Sequence, residues 1–148
     1  MAHYTENRKA RFDYEILDKY EAGIELLGVE VKSVRKGRMS LEGAFVIIRG
    51  GEAFLINSNI PPFQPANAPE DYDPLRNRKL LLTKKEAAEL AGSERNKSLT
   101  IVPISVYNKG KKIKVEIALV KGKKKYDKRE NIKKRETDRE IRRQVKDR

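Results

Sequence analysis

The chain has 148 residues, 38% of them hydrophobic, which is enough for the core of one small domain. Its 34 Lys+Arg exceed its 22 Asp+Glu by a formal +12, which favours a polyanionic partner, nucleic acid first and an anionic membrane surface second. No Cys, one His, no membrane-spanning apolar run and no signal-peptide core predict a cytoplasmic protein without disulfides, redox chemistry, cofactor or metal.

Alternating apolar residues predict strands near both ends of residues 1–120. Phe12, Tyr14 and Ile16 alternate with acids, and residues 113–119 (IKVEIAL) alternate so that the odd positions face the core. Apolar runs joined by residues 49–52 (RGGE) and 108–111 (NKGK) predict two hairpins. The apolar phase shifts at Leu26 and Leu27 and again near Pro103, which indicates bulges or corners of a curved sheet.

A loop and one or two short helices interrupt the strands. Five of the six prolines lie in residues 61–74, which predicts a long surface loop. Asp73 and Pro74 suit the N-cap and first position of a helix, and Thr83 with Glu86 forms a capping-box pattern for a second helix that ends near Gly92. The pattern predicts a mainly β fold with short helices, a small antiparallel barrel of the oligonucleotide-binding type.

Residues 121–148 differ from the rest in composition. They hold 14 Lys+Arg and 6 Asp+Glu, a net +8 of the total +12, with few apolar side chains. Such a segment buries too little apolar surface to offset its conformational entropy, so we expect a basic C-terminal tail that is disordered when free and becomes helical on a partner. The sequence therefore predicts two parts, a barrel over 1–120 and a tail over 121–148.

Basic clusters and one acid are candidate RNA contacts. Residues 7–11 (NRKAR) and 32–38 (KSVRKGR) flank an early hairpin region in this interpretation, and several basic clusters on one small domain favour nucleic-acid binding over a merely solvated surface. Glu21 is an isolated acid among them. It is either a turn or strand-start residue or an acceptor for a base edge or ribose hydroxyl.

No catalytic arrangement is evident. Glu70, Asp71 and Asp73 can in principle hold a hard cation for phosphodiester chemistry, but adjacent acids in a proline-rich loop are ordinarily solvated turn residues. His3 is expected to belong to a frayed terminus. A metal-dependent nuclease therefore stays an alternative, testable by incubating labelled RNA with magnesium and the protein.

Seven ordered motifs between residues 7 and 136 resemble those of the SmpB family, small protein B, the partner of transfer-messenger RNA. They are residues 7–10 (NRKA), 20–24 (YEAGI), 28–33 (GVEVKS), 51–55 (GEAFL), 73–82 (DPLRNRKLLL), 115–117 (VEI) and 121–129 (KGKKKYDKR). Each motif is weak by itself, whereas so many in the right order are specific.

The resemblance implies a non-enzymatic protein that grips the tRNA-like domain of transfer-messenger RNA and delivers it to stalled ribosomes for trans-translation, with elongation factor Tu engaged indirectly through the aminoacylated RNA and no membrane partner. By motif and position it implies these RNA-binding residues: Asn7, Arg8, Lys9, Glu21, Lys32, Ser33, Arg35, Leu81, Thr83 and Lys114. It also implies that the tail enters the small-subunit decoding centre, next to ribosomal RNA, and the empty messenger channel through Lys123, Lys124, Tyr126, Asp127, Lys128, Arg129, Ile132, Lys133 and Lys134.

The sequence departs from the family pattern at three of these positions or near them. Many relatives have His where this chain has Tyr126; tyrosine stacks on a base but carries no positive charge near neutrality. Thr83 replaces the Asn of several relatives, and Thr137 stands where the family often has Trp.

A ribosomal or initiation-type RNA-binding barrel is the other alternative, and RNA recovered with the protein from a lysate distinguishes the two.

Overall fold

The computed structural model describes residues 3–64, 66 and 68–122 and is mainly β, as predicted. In this part of the chain seven antiparallel strands form one sheet, and three short helices pack around it. In chain order the elements are β1 His3–Glu6, α1 Arg8–Asp13, β2 Tyr14–Ile24, α2 Gly28–Arg35, β3 Phe45–Arg49, β4 Glu52–Ile56, β5 Arg78–Leu81, α3 Lys84–Glu94, β6 Leu99–Lys109 and β7 Lys112–Gly122.

The sheet closes on itself in a barrel-like ring. Its strand order is β1-β6-β3-β4-β5-β2-β7; an additional β6–β7 pairing closes the ring, and β1 pairs with β6 outside the ring. The 11-residue strand β6 makes this possible: β3 pairs with it at Ile101, whereas β1 pairs with it from Ser105 to Tyr107. Closure leaves few unpaired strand edges, which suits a small antiparallel domain.

Both predicted hairpins are confirmed. Gly50 and Gly51 connect β3 to β4 with φ of 59° and 75°, the positive values that a tight two-residue turn requires and that glycine adopts without steric cost. Gly110, at φ 62°, lies in the turn between β6 and β7. The predicted irregularity near Pro103 is a register shift between Pro103 and Ser105.

The core has two parts because both faces of the β6–β7 pair are covered. As predicted, Val115, Ile117 and Leu119 of β7 point into the main core inside the ring. Ala118 and Val120, at even positions, are buried as well, in a second cluster with Ala10 of α1. The strict alternation expected for β7 therefore fails at its end, where α1 covers the outer face.

Several local predictions were wrong. Phe12 belongs to α1, and its strand begins at Tyr14; His3 begins β1. The phase shift at Leu26 and Leu27 marks the change from β2 to α2, and this helix carries Lys32 and Arg35, which were assigned to a hairpin region. Period-two and period-3.6 patterns are hard to separate over so few residues.

Two helix predictions need correction after the proline-rich loop. Asp73 and Pro74 form a turn, in which the Asp73 carboxylate accepts from the Leu75 N–H at 2.9 Å, so no helix begins there. The predicted capping box at Thr83 does begin α3, but this helix continues past Gly92 to Glu94. Among the described residues no helix is long and apolar enough to cross a membrane.

Candidate nucleic-acid interface

One row of cross-strand neighbours gathers predicted RNA-binding residues from distant parts of the chain. Tyr107 of β6 pairs with Lys114 of β7, Lys114 pairs with Gly23 of β2, and Gly23 pairs with Leu81 of β5. Their neighbours Ala22, Leu80 and Val115 are buried in the core, so the row lies on the outer face of the sheet. We call these four positions the outer row.

Gly23 places no side chain above the sheet in the middle of the outer row. A Cβ at this position would lie 3.2 Å from Leu81 Cβ and 3.3 Å from Leu81 Cδ1. Leu81 itself is 50% exposed, and a cavity of about 340 Å³ beside it is also lined by Lys114 and by Arg35 of α2. Leu81 is an exposed apolar side chain between cations, and the neighbouring Gly23 has no side chain. A nucleic-acid backbone or a flat group can therefore approach the sheet closely here.

Glu21 lies on β2 two residues before Gly23 and is not isolated, contrary to the sequence interpretation. Its carboxylate accepts hydrogen bonds from the Tyr107 hydroxyl and from Lys109 Nζ, the latter at 3.0 Å. The pKa of Glu21 is held below its usual value, first by the hydrogen bond from Tyr107 and then by the one from Lys109. The nearby charges of Lys109 and Lys114 lower it further, whereas partial burial acts in the opposite direction. Burial and the hydrogen bond to Glu21 raise the pKa of Tyr107. Glu21 is thus an oriented anion.

The second basic cluster is divided between surface and interior. Lys32 and Arg35 are exposed on α2, whereas the side chain of Ser33 is buried and its hydroxyl donates to the carbonyl of Pro61. The ring of Phe63 lies 6.0 Å from Lys32 Nζ and 5.5 Å from the Arg38 guanidinium carbon, so the aromatic ring packs among the cations. The structure therefore gives Ser33 an anchoring contact within the protein.

The N-terminal cluster is divided in the same way. Asn7 is 6% exposed; its amide donates to the carbonyls of Pro103 at 3.0 Å and Leu41 at 3.3 Å, and its side-chain oxygen caps α1 by accepting from Ala10 N–H. Arg8 and Lys9 are exposed. Both reach solvent, where Lys9 Nζ also lies 3.8 Å from a Glu42 carboxylate oxygen, whereas the polar groups of Asn7 hold α1 against β6.

Thr83 is exposed at the N-cap of α3, two residues after Leu81. Its hydroxyl accepts from the Glu86 N–H at 3.1 Å and lies 3.0 Å from Glu86 Oε1. The hydroxyl is therefore engaged in the cap. The structure brings Glu21, Leu81, Thr83 and Lys114 to one region of the surface, whereas Arg8 and Lys9 belong to α1; RNA contact by each of these residues stays a prediction.

The acids of the alternative nuclease site do not assemble into a metal site. Asp73 holds the turn described above, and in the described part of the chain no group of three His, Cys, Asp or Glu side chains is placed to hold a metal ion.

Comparison with known proteins is consistent from end to end of the chain. A family model described as SmpB protein matches residues 4–147. The SsrA-binding protein of Gloeothece citriformis is 50% identical over 142 residues, 96% of this chain and 92% of that protein; that of Enterococcus faecalis is 51% identical with the same two coverages. That of Sulfurihydrogenibium sp. is 56% identical over 135 residues, 91% of this chain and 88% of that protein.

The chain belongs to the SmpB family. A solved chain described as "tmRNA-SmpB: a journey to the center of the bacterial ribosome" is similar to it with a TM-score of 0.68 and 46% identity, covering 82% of this chain and 85% of that chain. The barrel-like sheet is therefore the fold of an SmpB-family protein. The tail positions predicted for the ribosome, residues 123–134, lie outside the described residues.

A buried charge cluster of this SmpB-family protein was missed by the sequence analysis. Glu30 and Arg78 are both 0% exposed; Arg78 donates to Glu30 Oε2 at 2.6 and 2.8 Å and to Ser58, and Arg76 and the Tyr72 hydroxyl also donate to Glu30. Burial alone would raise the pKa of Glu30, but hydrogen bonds from Arg76, the Leu27 N–H and Arg78 lower it. The cluster ties α2, the proline-rich loop and β5 together.

The sequence held one signal for this cluster. Residues 73–82 place two arginines just before an apolar run, and an arginine that begins a buried strand needs a carboxylate partner. Nothing local identifies Glu30 as that partner, since 48 residues separate it from Arg78. Tyr107, 86 residues from Glu21, was missed for the same reason.

Proposed function

We propose that the protein binds the tRNA-like domain of transfer-messenger RNA through the outer row and delivers this RNA to stalled ribosomes. The observation that carries the proposal is the strand register that places Lys114, Gly23 and Leu81 side by side with the oriented carboxylate of Glu21 nearby. A cation, an anion and an exposed apolar group in one patch suit phosphate, ribose or base edge, and base face respectively.

The comparisons support the same RNA and the same setting. The relatives are named for binding SsrA, which is transfer-messenger RNA, and the similar solved chain is described together with transfer-messenger RNA and the bacterial ribosome. In this proposal the protein acts by binding and without catalysis of its own, in the cytoplasm, and meets elongation factor Tu indirectly through the aminoacylated RNA.

We assign the two tasks to two parts of the chain. Residues 1–120 bind the RNA, and residues 121–148 occupy the decoding centre and the empty messenger channel. The excess charge of the tail, +8 in 28 residues, suits a path lined by ribosomal RNA. Strand β7 continues to Gly122, paired there with Tyr14, so the folded part extends two residues beyond the predicted boundary.

The decisive experiment is recovery of RNA with the tagged protein from a bacterial lysate, followed by sequencing. We expect strong enrichment of transfer-messenger RNA with the parent and weaker enrichment with Lys114→Ala. Recovery of ribosomal RNA without transfer-messenger RNA would favour the ribosomal or initiation-type barrel. Cleavage of labelled RNA by the pure protein with magnesium would favour the nuclease.

A further inference from the structure

A larger cavity, about 700 Å³, opens on the outer face of the sheet next to the outer row. Its floor is a second cross-strand row, in which Ile47 of β3 pairs with Phe54 of β4 and Phe54 pairs with Lys79 of β5. Leu27, 45% exposed, forms one wall. A space of this size with an apolar, aromatic floor is typical of a binding site for a small organic group.

The cavity is continuous with the outer row. Lys79 lies two residues before Leu81 on β5, so their side chains project from the same face of the strand. Leu26, in the connection between β2 and α2, lines both the larger cavity and the one beside Leu81. A ligand bound across the outer row therefore reaches the larger cavity without leaving this face.

The charges around the cavity favour a neutral polar ligand over a phosphate. Arg49, Arg76 and Lys79 line it, and each also contacts a carboxylate: Glu94 at 2.6 Å, Glu30 at 2.5 Å and Glu52 at 3.2 Å, respectively. Glu25 adds another acid to the wall. The local charge is nearly balanced, so the attraction for a dianion is weak, and the polar side chains lie beside an aromatic floor.

We propose that this cavity binds one unpaired nucleobase of the RNA that occupies the outer row, stacked on the ring of Phe54; this proposal rests on the proposed function. A base offers a flat face to Phe54 and ring-edge acceptors to Arg49 and Lys79, and stacking of an unpaired base on an aromatic side chain is a common mode of RNA recognition. An apolar protein side chain would use the aromatic floor of the cavity but not its polar wall, which includes Arg49 and Lys79.

The absence of tryptophan from the sequence gives a direct test. In Phe54→Trp the single indole lies on the cavity floor, and a base stacked on it quenches its fluorescence. The matched control is Phe45→Trp. Phe45 is 39% exposed on the same outer face of the sheet, but it begins β3 and does not line the cavity, whereas Ile47 and Arg49 of that strand do. Transfer-messenger RNA is titrated into both full-length proteins.

We expect saturable quenching in Phe54→Trp at the RNA concentration that saturates binding, and little change in Phe45→Trp. We also expect Phe54→Leu, which keeps the apolar volume and loses the ring, to weaken affinity about 5- to 100-fold while Phe45→Leu matches the parent. RNA binding that Lys114→Ala weakens and Phe54→Leu leaves unchanged would overturn the nucleobase site and leave the proposed function standing. A parent chain that does not bind the RNA would overturn both.

Discussion

The hydroxyl of Tyr107 donates a hydrogen bond to the carboxylate of Glu21 although β7 lies between their strands. This contact orients the acid beside the outer row. We predict that Tyr107→Phe raises the pKa of Glu21 towards its ordinary value of 4.5, because it removes the largest cause of the lowering. NMR titration of the Glu21 carboxyl carbon measures this, and an unchanged pKa would contradict the assignment of the donor.

The same contact has a consequence for stability against pH. A carboxyl whose folded pKa is lowered contributes stability above its unfolded pKa and loses it as the pH falls through the folded pKa. The parent should therefore lose this contribution below pH 4.5, whereas Tyr107→Phe should show a smaller decrease in the same acidic range. RNA affinity should fall less in Tyr107→Phe than in Glu21→Ala, since the Lys109 contact and the negative charge remain.

Substitution at Gly23 tests whether RNA approaches the outer row closely. Gly23→Val should weaken RNA affinity because the new side chain would project from the outer face beside Leu81. Its Cβ alone would lie 3.2 Å from Leu81 Cβ. The control is Gly92→Ala, an exposed helix position with nothing within 4 Å of the added Cβ. That change should stabilise the fold by roughly 0.5–1 kcal/mol and leave affinity unchanged. Equal affinities for parent and Gly23→Val would place the RNA elsewhere.

The polar members of the site should matter individually. Lys114→Ala and Glu21→Ala should each weaken binding of transfer-messenger RNA by about 1–3 kcal/mol without unfolding the protein, because each removes one polar contact from an outward-facing position. The control is Lys121→Ala, which removes an exposed lysine from the other end of the same strand. Gel-shift titration with a circular dichroism melt separates affinity from folding. If both alanine variants bound like the parent, the outer row would be the wrong surface.

The buried Glu30–Arg78 pair should dominate stability. Glu30→Gln leaves Arg78 buried without a counter-ion, which typically costs about 3–5 kcal/mol, and Arg78→Met leaves the buried Glu30 with Arg76 as its remaining cation. Urea unfolding at pH 7 measures the loss, with Lys9→Ala as a control that removes an exposed ion pair worth at most about 1 kcal/mol. Because the pKa of Glu30 is lowered, its contribution should also disappear on acidification through the folded pKa. A change below 1 kcal/mol in both variants would contradict this structural role.

The sequence predicted the parts of the fold whose signal is local. A glycine turn such as Gly50–Gly51 and the capping box at Thr83 each depend on no more than four consecutive residues, and the structure has both where the sequence predicted them. The helix α2 was missed because the apolar phase of residues 24–34 can be divided in more than one way, and only packing of Val34 in the core decides it.

The site was predicted in its members and not in its arrangement. Leu81 and Lys114 were predicted from motifs. That both lie next to Gly23 depends on the register of three strands, which cannot be determined from any short segment of the sequence. The same limit explains Ser33 and Asn7, whose polar side chains were assigned to RNA and are engaged within the protein. A buried polar group and an exposed one look alike in a single sequence.

Removal of the tail should separate RNA capture from work on the ribosome. The cut belongs after Gly122, because Lys121 and Gly122 still pair with Glu15 and Tyr14 in β2, whereas a chain ending after Val120 would lose the end of that ladder. Residues 3–122 contain both hydrophobic clusters, so the shortened protein should melt close to the temperature of the full chain. A chain ending after Val120 is the matched comparison and should be slightly less stable.

The shortened protein should bind transfer-messenger RNA somewhat more weakly and with a shallower dependence on salt, because basic residues of the tail no longer neutralise phosphates. It should not support peptidyl transfer to the alanylated RNA on stalled ribosomes, since charge and contacts in the decoding centre are lost together. Within the full chain, Tyr126→Ala and Ile132→Ala should reduce transfer and leave RNA binding unchanged; base stacking by the tyrosine is worth roughly 1–3 kcal/mol. A reconstituted assay measures RNA binding and transfer separately, and normal transfer by the chain ending at Gly122 would refute the division into two parts.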